Sequence, residues 1–416
     1  MGSYGTISFN GVGIYGAKNA INFHMLSLFS PSDYIMETKL YDDDYTLVEK
    51  KFITSCDIAK KRLDIIGYTV DMVEKEFYEN MDILKNSDDD YPPELYEILS
   101  RFYDFTEDCP NYKLIEEMNL ENFKQSIKSF FQMPIAKIPT DSILLDYIID
   151  HRKMYYGVGL PVLDPLSEVR IILETLGEND SVEYEISEII DNGYVEIEGV
   201  FAYWKDGPFN LISNETVILA EGTTDIFVLK KSLNLLFPQF SHLYKFFDFD
   251  NLKSPGSTSN LVNLIKGFVN SGIKSRIIAL FDNDTAAFEA LSTIELDKLT
   301  PNIKIVHLPH LDWATVYPTL GPTGESNTDI NKLACSMELF MGKNLLKKDG
   351  KFIPIQWTGY NPKLNRYQGE ILYKKEINEN FRSIIKKAEE DGLENVSHDW
   401  DDLKYLWQTI FTAYNF

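Results

Sequence analysis

The chain has 416 residues and a formal net charge of −24, and 44% of its residues are hydrophobic. This composition is typical of a folded globular protein of two or three domains and excludes an intrinsically disordered chain. No apolar run approaches the roughly 20 residues that a membrane span needs, and no basic-then-apolar signal peptide is recognisable. The three cysteines are scattered and form neither a zinc pattern nor a disulfide framework, so we expect a cytoplasmic protein with no membrane partner.

The acidic charge is concentrated in the first half of the chain. Residues 1–200 hold 17 Lys+Arg and 38 Asp+Glu, whereas residues 201–416 hold 23 and 26. Since nucleic-acid binding favours a basic surface, a site for nucleic acid is expected in the second, nearly neutral half. The acidic half can be a plain solvated surface, a dock for a basic partner or a surface that repels DNA.

Residues 1–140 are predicted to form a mainly α-helical N-terminal module. Glycine-rich alternation over residues 1–21 indicates a short hairpin, and apolar residues recur at loosely helical spacing between residues 45 and 135. Acids followed by two prolines predict a loop at 87–93, with helices resuming at 94–102 and 120–131.

Residues 141–210 are predicted to connect this module to the next domain. The stretch 141–177 is typical of helices, whereas 182–186 and 194–199 have strand character. Asp191-Asn192-Gly193 between them is a hairpin turn signal.

Two acidic clusters follow apolar runs in the next stretch. The run 217–220 precedes Glu221, Gly222 and Asp225, and the run 276–281 precedes Asp282 and Asp284. Such runs predict buried parallel strands, each followed here by a helix, at 225–236 and 286–291. Because ligands bind beyond the carboxyl ends of parallel strands, Glu221, Asp282 and Asp284 are expected at one edge of the sheet.

Carboxylates that share a sheet edge repel one another unless a cation lies among them. Mg²⁺ prefers carboxylate oxygens, and Gly222 leaves room for a phosphate close to the backbone. The alternative is that these acids only cap the helices that follow them.

Glu221-Gly222 with Asp225, followed by Asp282-x-Asp284, resembles the TOPRIM domain of topoisomerases, bacterial primases, OLD-family nucleases and small RNA-maturation nucleases. The resemblance covers residues 211–345 and implies an α/β fold with a Rossmann-like parallel sheet and flanking helices. The opening residues 1–29 and the tail segments 355–360 and 367–370 are also similar to the proteins named HEPN/Toprim-associated.

Further strands are predicted at 244–247 and 303–308. Between them, Gly256 and Ser257 precede a helical stretch at 261–269, and their backbone N–H groups are candidates to bind a phosphate. An ordinary loop with a Ser or Thr N-cap explains that segment equally well. His307 and His310, near the end of the later strand, lack further zinc ligands in register and are interpreted as structural.

The resemblance to OLD-like nucleases implies additional acids after the second cluster. Glu338 is the first candidate for a further metal ligand and Asp329 the second, although a helix with one exposed Glu fits the segment equally well. Residues 346–416 form an extension in which Lys and Arg alternate with Trp and Tyr. That pattern suits nucleic acid and also an ordinary half-buried hairpin.

The TOPRIM resemblance allows three chemistries, and the chain lacks the DNA gate of a topoisomerase and the polymerase body of a primase. It therefore implies a nuclease that hydrolyses phosphodiester bonds of DNA or RNA. Asp282 and Asp284 would hold Mg²⁺ or Mn²⁺, and Glu221 would bind metal or act as general base. Asp225 and Glu338 would complete a second ion site about 4 Å away.

The expected partners follow from motifs that the sequence lacks. No G-x-x-x-x-G-K-[ST] occurs, so any ATPase would act in trans, as would any other partner protein. No Arg is followed by His at the four-to-six-residue gap of active HEPN ribonucleases, so the helical region is interpreted as a partner-binding or homo-oligomerising module. The resemblance implies a restrained nuclease of bacterial phage defence. The alternative is a non-catalytic TOPRIM scaffold whose acidic half docks a partner.

Overall fold

The structure is a computed structural model. It describes residues 2–41, 45–86, 119–133, 142–153, 157–158, 164–206, 215–247 and 258–415. The chain forms two compact units, Met1–Leu211 and Ile212–Phe416. No helix in these described ranges is long and apolar enough to cross a membrane.

The first unit contains a five-stranded antiparallel sheet in the order β2-β1-β5-β4-β3. The strands are β1 (Tyr4–Phe9), β2 (Val12–Lys18), β3 (Tyr34–Tyr41), β4 (Tyr45–Ser55) and β5 (Ser181–Glu185). Side chains alternate between the two faces of a strand, and this alternation places Phe9, Phe52 and Tyr184 in the core. The residue range predicted as a connection thus contributes the central strand of this sheet.

Helices complete the first unit. They are α1 (Cys56–Ile66), α2 (Val70–Asn86), α3 (Leu120–Gln132), α4 (Ile143–Lys153), α5 (Pro165–Glu174), α6 (Ser187–Asp191) and α7 (Ile197–Asp206). The hairpin predicted for residues 1–21 and the helices predicted at 120–131 and 141–177 are confirmed. The predictions for 87–93 and 94–102 lie outside the described residues.

Three predictions for the first unit are wrong. The strand predicted at 194–199 is not formed, because Ile197–Asp206 is helix α7. The helical interpretation from residue 45 fails because Tyr45–Ser55 is β4, which is rich in β-branched residues and pairs along β3 and β5. The hairpin signal at Asn192-Gly193 instead ends helix α6. Gly193 has a φ of +70°, and the N–H groups of Gly193 and Tyr194 donate to carbonyls of α6 at 3.0 Å.

The second unit is built on a four-stranded parallel sheet in the order β10-β8-β6-β7. Its strands are β6 (Thr216–Leu219), β7 (Tyr244–Phe246), β8 (Arg276–Phe281) and, after the two-residue strand β9 (Asn283–Asp284), β10 (Ile303–His307). Val217 lies opposite Ile277, so β6 and β8 end at the same edge. Leu219, Ala279 and Phe281 are fully buried under the flanking helices. All four strands predicted for this sheet are confirmed.

The helices of the second unit include those predicted after each acidic cluster. They are α8 (Thr223–Leu236), α9 (Thr258–Ser271), α10 (Thr285–Leu291), α11 (Lys374–Asp391) and α12 (Asp401–Phe411). Trp407 on α12 is fully buried and donates from Nε1 to Ser232 Oγ on α8 at 2.9 Å. The two C-terminal helices therefore pack onto the unit that carries the parallel sheet.

A second sheet of this unit has the order β12-β11-β16-β17. Its strands and the remaining short ladders are β11 (Tyr317–Gly321), β12 (Gly324–Thr328), β13 (Ala334–Cys335), β14 (Lys347–Lys348), β15 (Lys351–Phe352), β16 (Ile355–Asn361) and β17 (Arg366–Ile371). β13 pairs with β9, which brings the segment after β12 back to the end of the parallel sheet.

Candidate active site

Glu221 and Asp225 lie in the turn between β6 and α8. Gly222 is the N-cap of α8, and its N–H donates to Asp225 Oδ2 at 2.9 Å. This hydrogen bond is one half of a capping box, so the capping interpretation of Asp225 has structural support. A Cβ on Gly222 would lie 3.3 Å from Asp225 Oδ2, which is tighter than ordinary contact.

Asp282 and Asp284 lie at the matching end of β8. Glu221 Oε1 accepts from the Asp282 N–H at 3.2 Å, and Glu221 Oε2 accepts from Thr258 Oγ1 at 2.5 Å. Asp284 caps α10 through the Ala287 N–H, at 2.8 Å. Glu221 therefore joins the two acidic strand ends, as the parallel order of the sheet predicts.

Glu338 reaches the same edge because β13 pairs Cys335 with Asn283. It lies in a short 3-10 turn, Met337–Phe340, and only 1% of its surface is exposed. The alternative of an exposed Glu on a helix is therefore wrong. Its carboxylate accepts from Ser336, at 2.7 Å, and from Asn378, at 3.2 Å.

Lys374, the first residue of α11, supplies a positive charge to the cluster. Its Nζ lies 3.3 Å from Glu338 Oε2, and half of its side chain is exposed. α11 is held against α8 by the Arg382 guanidinium over the Phe227 ring, at 3.9 Å, and by an ion pair between Lys231 and Glu389. The packing of these two helices places the Lys374 ammonium at the acidic edge.

The carboxyl groups of the cluster have raised pKa values, through burial and through each other's negative charge. Burial raises the pKa of Asp282 well above its ordinary value, and the negative charges of Asp225, Glu221, Asp284 and Glu338 raise it further. Burial and the charge of Glu338 raise the pKa of Asp225 to about 7. Burial also raises the pKa of Glu221 and of Asp284, against the hydrogen bonds that each accepts.

The pKa of Lys374 is also raised, but by its charged neighbours and not by burial. Burial alone would lower it, but the negative charges of Glu338, Asp282 and Asp225 raise it overall. One ammonium among five carboxylates leaves an excess of negative charge, which explains why the carboxyl pKa values remain raised.

The donor set of this edge fits a hard divalent cation, because all five acidic groups offer carboxylate oxygens. In the described parts of the chain, however, no three His, Cys, Asp or Glu side chains already surround a common point as metal ligands. Four of the five are engaged by hydrogen-bond donors: Glu221, Asp225, Asp284 and Glu338. A bound cation would share these carboxylates with their donors or replace some of the donors.

The remaining predicted residues have different outcomes. Asp329 is exposed and accepts from the backbone and side chain of Asn331 in its own turn, at 2.9 and 2.8 Å. Gly256 and Ser257 lie outside the described residues. His307 stacks on Phe288, with ring centroids 4.4 Å apart, and its Nδ1 lies 3.0 Å from the Asp282 carbonyl oxygen, which supports a structural role.

Sequence reasoning missed Lys374, Thr258 and Asn378 as neighbours of the carboxylates. None of them belongs to a motif, and each reaches the site by packing of elements distant in the chain. Thr258 is the only one with a local signal, since it follows Gly256-Ser257 in the sequence and opens helix α9.

The second unit is thus an α/β protein with an acidic cluster at the carboxyl edge of a parallel sheet. Residues 1–206, within the first unit, match the family model described as HEPN/Toprim N-terminal domain 1. This match supports the HEPN/Toprim-associated family and does not extend to the acidic cluster. The comparison with curated proteins gave no match, and neither did the comparison with solved structures.

Replacing Lys374 by methionine should destabilise the protein by about 1–3 kcal/mol, because the buried Glu338 carboxylate loses a charged donor. The exposed neighbour Lys375, whose ammonium lies 3.8 Å from Glu379 on its own helix, provides the matched control. Lys375→Met should stay within about 0.5 kcal/mol of wild type. Urea unfolding measures both variants.

The double variant Lys374→Met/Glu338→Gln should recover most of this loss, since the amide that replaces the Glu338 carboxylate can be buried without a counter-charge. A single Lys374→Met variant as stable as wild type would show that the ion pair does not compensate Glu338.

Proposed function

We propose that this chain is a metal-dependent nuclease that hydrolyses phosphodiester bonds of DNA or RNA, with its active site in a TOPRIM-like second unit. The observation that carries the proposal is the convergence of Glu221, Asp282 and Asp284 on one sheet edge, joined by the contact of Glu221 with the Asp282 N–H. The match of the first unit to a HEPN/Toprim family model is consistent with it.

The residues divide into ligands and supporting groups. Asp282, Asp284 and Glu221 would hold Mg²⁺ or Mn²⁺, and Glu338 and Asp225 would complete a second site. When bound, the ions would polarise the phosphate and activate water. Glu221, held by Thr258, can alternatively take the proton of the attacking water as general base.

Two further groups would orient the substrate. Lys374, whose side chain is half exposed, can pair with a phosphate oxygen while its ammonium offsets the charge of Glu338. The backbone N–H groups of Thr223 and Thr224, in the first turn of α8, lack carbonyl partners within their own helix, as at every helix start, and can donate to an anion beside Gly222.

A second candidate function is a non-catalytic scaffold. It is favoured by the donors that already occupy Glu221, Asp225, Asp284 and Glu338, and by the lack of a formed coordination shell among the described residues. In this case the acidic first unit would dock a partner protein, and the cluster would not perform chemistry.

The test is direct. The full chain is incubated with Mg²⁺ or Mn²⁺ and with plasmid, linear duplex, single-stranded DNA and RNA, beside Asp282→Ala and a chelator control. Cleavage by the wild type alone is expected. Tight Mn²⁺ binding by calorimetry without cleavage of any substrate, with or without added ATPase, would instead favour the scaffold.

A role in phage defence would require restraint of this activity. The chain has no P-loop motif, so an ATPase or other partner in trans, or homo-oligomer formation through the first unit, would provide it. Activity that is constant across protein concentration and unchanged by cell extract would argue against such restraint.

A further inference from the structure

A row of aromatic side chains is exposed on the hairpin formed by β16 and β17. Tyr360 and Tyr367 are 51% and 54% exposed and lie opposite each other across the two strands. Their ring centroids are 5.2 Å apart, and Trp357 lies 5.8 Å from Tyr367. These three residues form what we call the aromatic strip.

Packing within the protein does not account for this strip. Aromatic rings that stabilise a fold are normally covered, as are Tyr317 and Phe381 in the same unit. Tyr360 and Tyr367 keep about half of their surfaces in water, although β16 and β17 already pair through their backbones. An exposed row of rings is instead typical of a binding surface.

The chain around the strip is strongly basic. Residues 343–375 contain eight Lys or Arg and two Asp or Glu, a formal charge of +6 in a chain whose net charge is −24. Lys347, Lys348 and Lys351 are exposed beside this hairpin in the sequence, and the Lys348 ammonium lies 4.2 Å from the Tyr373 ring centre. Five of the eight cations lie within 4.0 Å of carboxylates: Lys343, Lys348, Lys363, Lys374 and Lys375. An anionic partner would contact Lys347, Lys351 and Arg366 or compete with those carboxylates.

The backbone of β17, which carries Tyr367, lies next to the acidic cluster. Thr285, the residue after Asp284, donates from Oγ1 to the Tyr367 carbonyl oxygen at 2.6 Å. The Arg366 guanidinium lies 5.2 Å from the ring centre of Phe288 on α10, the helix that Asp284 caps. The backbone of β17 thus joins the strip to the end of β8, while the Tyr367 ring, next to Arg366 in the strand, points to the opposite face of the hairpin.

We infer that the aromatic strip docks the unpaired bases of single-stranded nucleic acid, whose phosphates pair with the surrounding Lys and Arg side chains. Every base has a face that can stack on a tyrosine, whereas the bases of a duplex stack on one another and offer only their edges. As an assignment of substrate class, this inference rests on the proposed nuclease function, but the binding itself does not require cleavage.

The experiment measures binding without cleavage. Fluorescence anisotropy of labelled oligo-dT, oligo-rU and a blunt DNA duplex of equal length is recorded with the full chain in a chelator. The variant Tyr360→Ala/Tyr367→Ala is compared with Tyr405→Ala, which removes an exposed tyrosine from α12 of the same unit. Thermal unfolding confirms that both variants are folded.

The double variant should bind single strands about 10- to 100-fold more weakly than wild type, and Tyr405→Ala should bind like wild type. The duplex should bind more weakly than either single strand. Equal single-strand affinity of wild type and double variant, a preference for duplex, or no binding to any probe would overturn the inference.

Polyglutamate of matched length separates base stacking from general attraction of anions. Its affinity should be unchanged by Tyr360→Ala/Tyr367→Ala; an equal loss would indicate an acidic protein partner and overturn the assignment. Cleavage is measured separately with Mn²⁺. Cleavage without tyrosine-dependent binding would support the nuclease function and contradict the binding role of the aromatic strip. Tyrosine-dependent binding without cleavage would support the binding role and contradict the nuclease function.

Discussion

Replacing Asp282 by asparagine should lower the rate of phosphodiester cleavage by about 10³-fold. Asp282 follows the last residue of β8 and is the carboxyl group whose pKa all four other acids of the cluster raise. A divalent cation bound at Asp282 would be strongly stabilised, because its charge offsets the repulsion between Asp282 and each of the other four carboxylates. Asparagine keeps the shape of the side chain and removes its charge.

The matched control is Asp312→Asn, which removes a fully exposed carboxylate from the same unit. It should cleave like the wild type in a single-turnover assay with Mn²⁺. Glu221→Gln should lower the cleavage rate as Asp282→Asn does, since Glu221 links the two strand ends. Cleavage by Asp282→Asn within a factor of ten of wild type would place the chemistry elsewhere in the molecule.

The strands and helices that carry this edge could be predicted because buried parallel strands are apolar throughout. The runs 217–220 and 276–281 have that property, and an acid directly after each fixes which end it occupies. Because parallel strands end at one edge, the sequence alone places Glu221 and Asp282 on the same edge. That β6 and β8 are direct neighbours, with β7 outside them, is known only from the structure.

The contacts of Lys374 could not be predicted in this way. They depend on the packing of α11 against α8, through pairs such as Arg382 with Phe227, and that pairing has no local sequence signal. The same limit applies to Glu338, whose burial depends on the β13–β9 pairing. In the first unit, Asn192-Gly193 misled because the left-handed glycine that suits a hairpin also ends a helix.

The packing of five acids at one edge has a cost in stability that binding of a cation would remove. In metal-free protein at pH 8, Asp282→Asn should therefore unfold at a higher temperature than wild type. A gain of 1 kcal/mol would raise the melting temperature of a unit of this size by about 2–4 °C. The Asp312→Asn variant should show no such gain.

The stability of the folded protein should decrease as the pH rises from about 4 to about 7. Asp225 has a pKa of about 7 in the folded protein, above its ordinary value of 3.8, so the folded state favours its protonated form. Its stabilising contribution is complete below pH about 4 and is lost as the pH rises through about 7. The pKa of Asp282 is raised in the same direction, so the advantage of Asp282→Asn should shrink at pH 5.

Addition of Mg²⁺ or Mn²⁺ at pH 8 should raise the melting temperature of the wild type above that of its metal-free form. An ion at 100 times its dissociation constant stabilises the folded state by about 2.7 kcal/mol, whereas Asp282→Asn should respond only weakly because it has lost a ligand. Thermal unfolding of both proteins in chelator and in each metal gives all four values. A wild type that gains nothing from either ion, while Asp282→Asn remains the more stable protein, would mean that repulsion in the cluster is relieved by protons and Lys374 alone. That result would favour the non-catalytic scaffold function, because a nuclease of the proposed kind must bind its cation at this edge of the sheet.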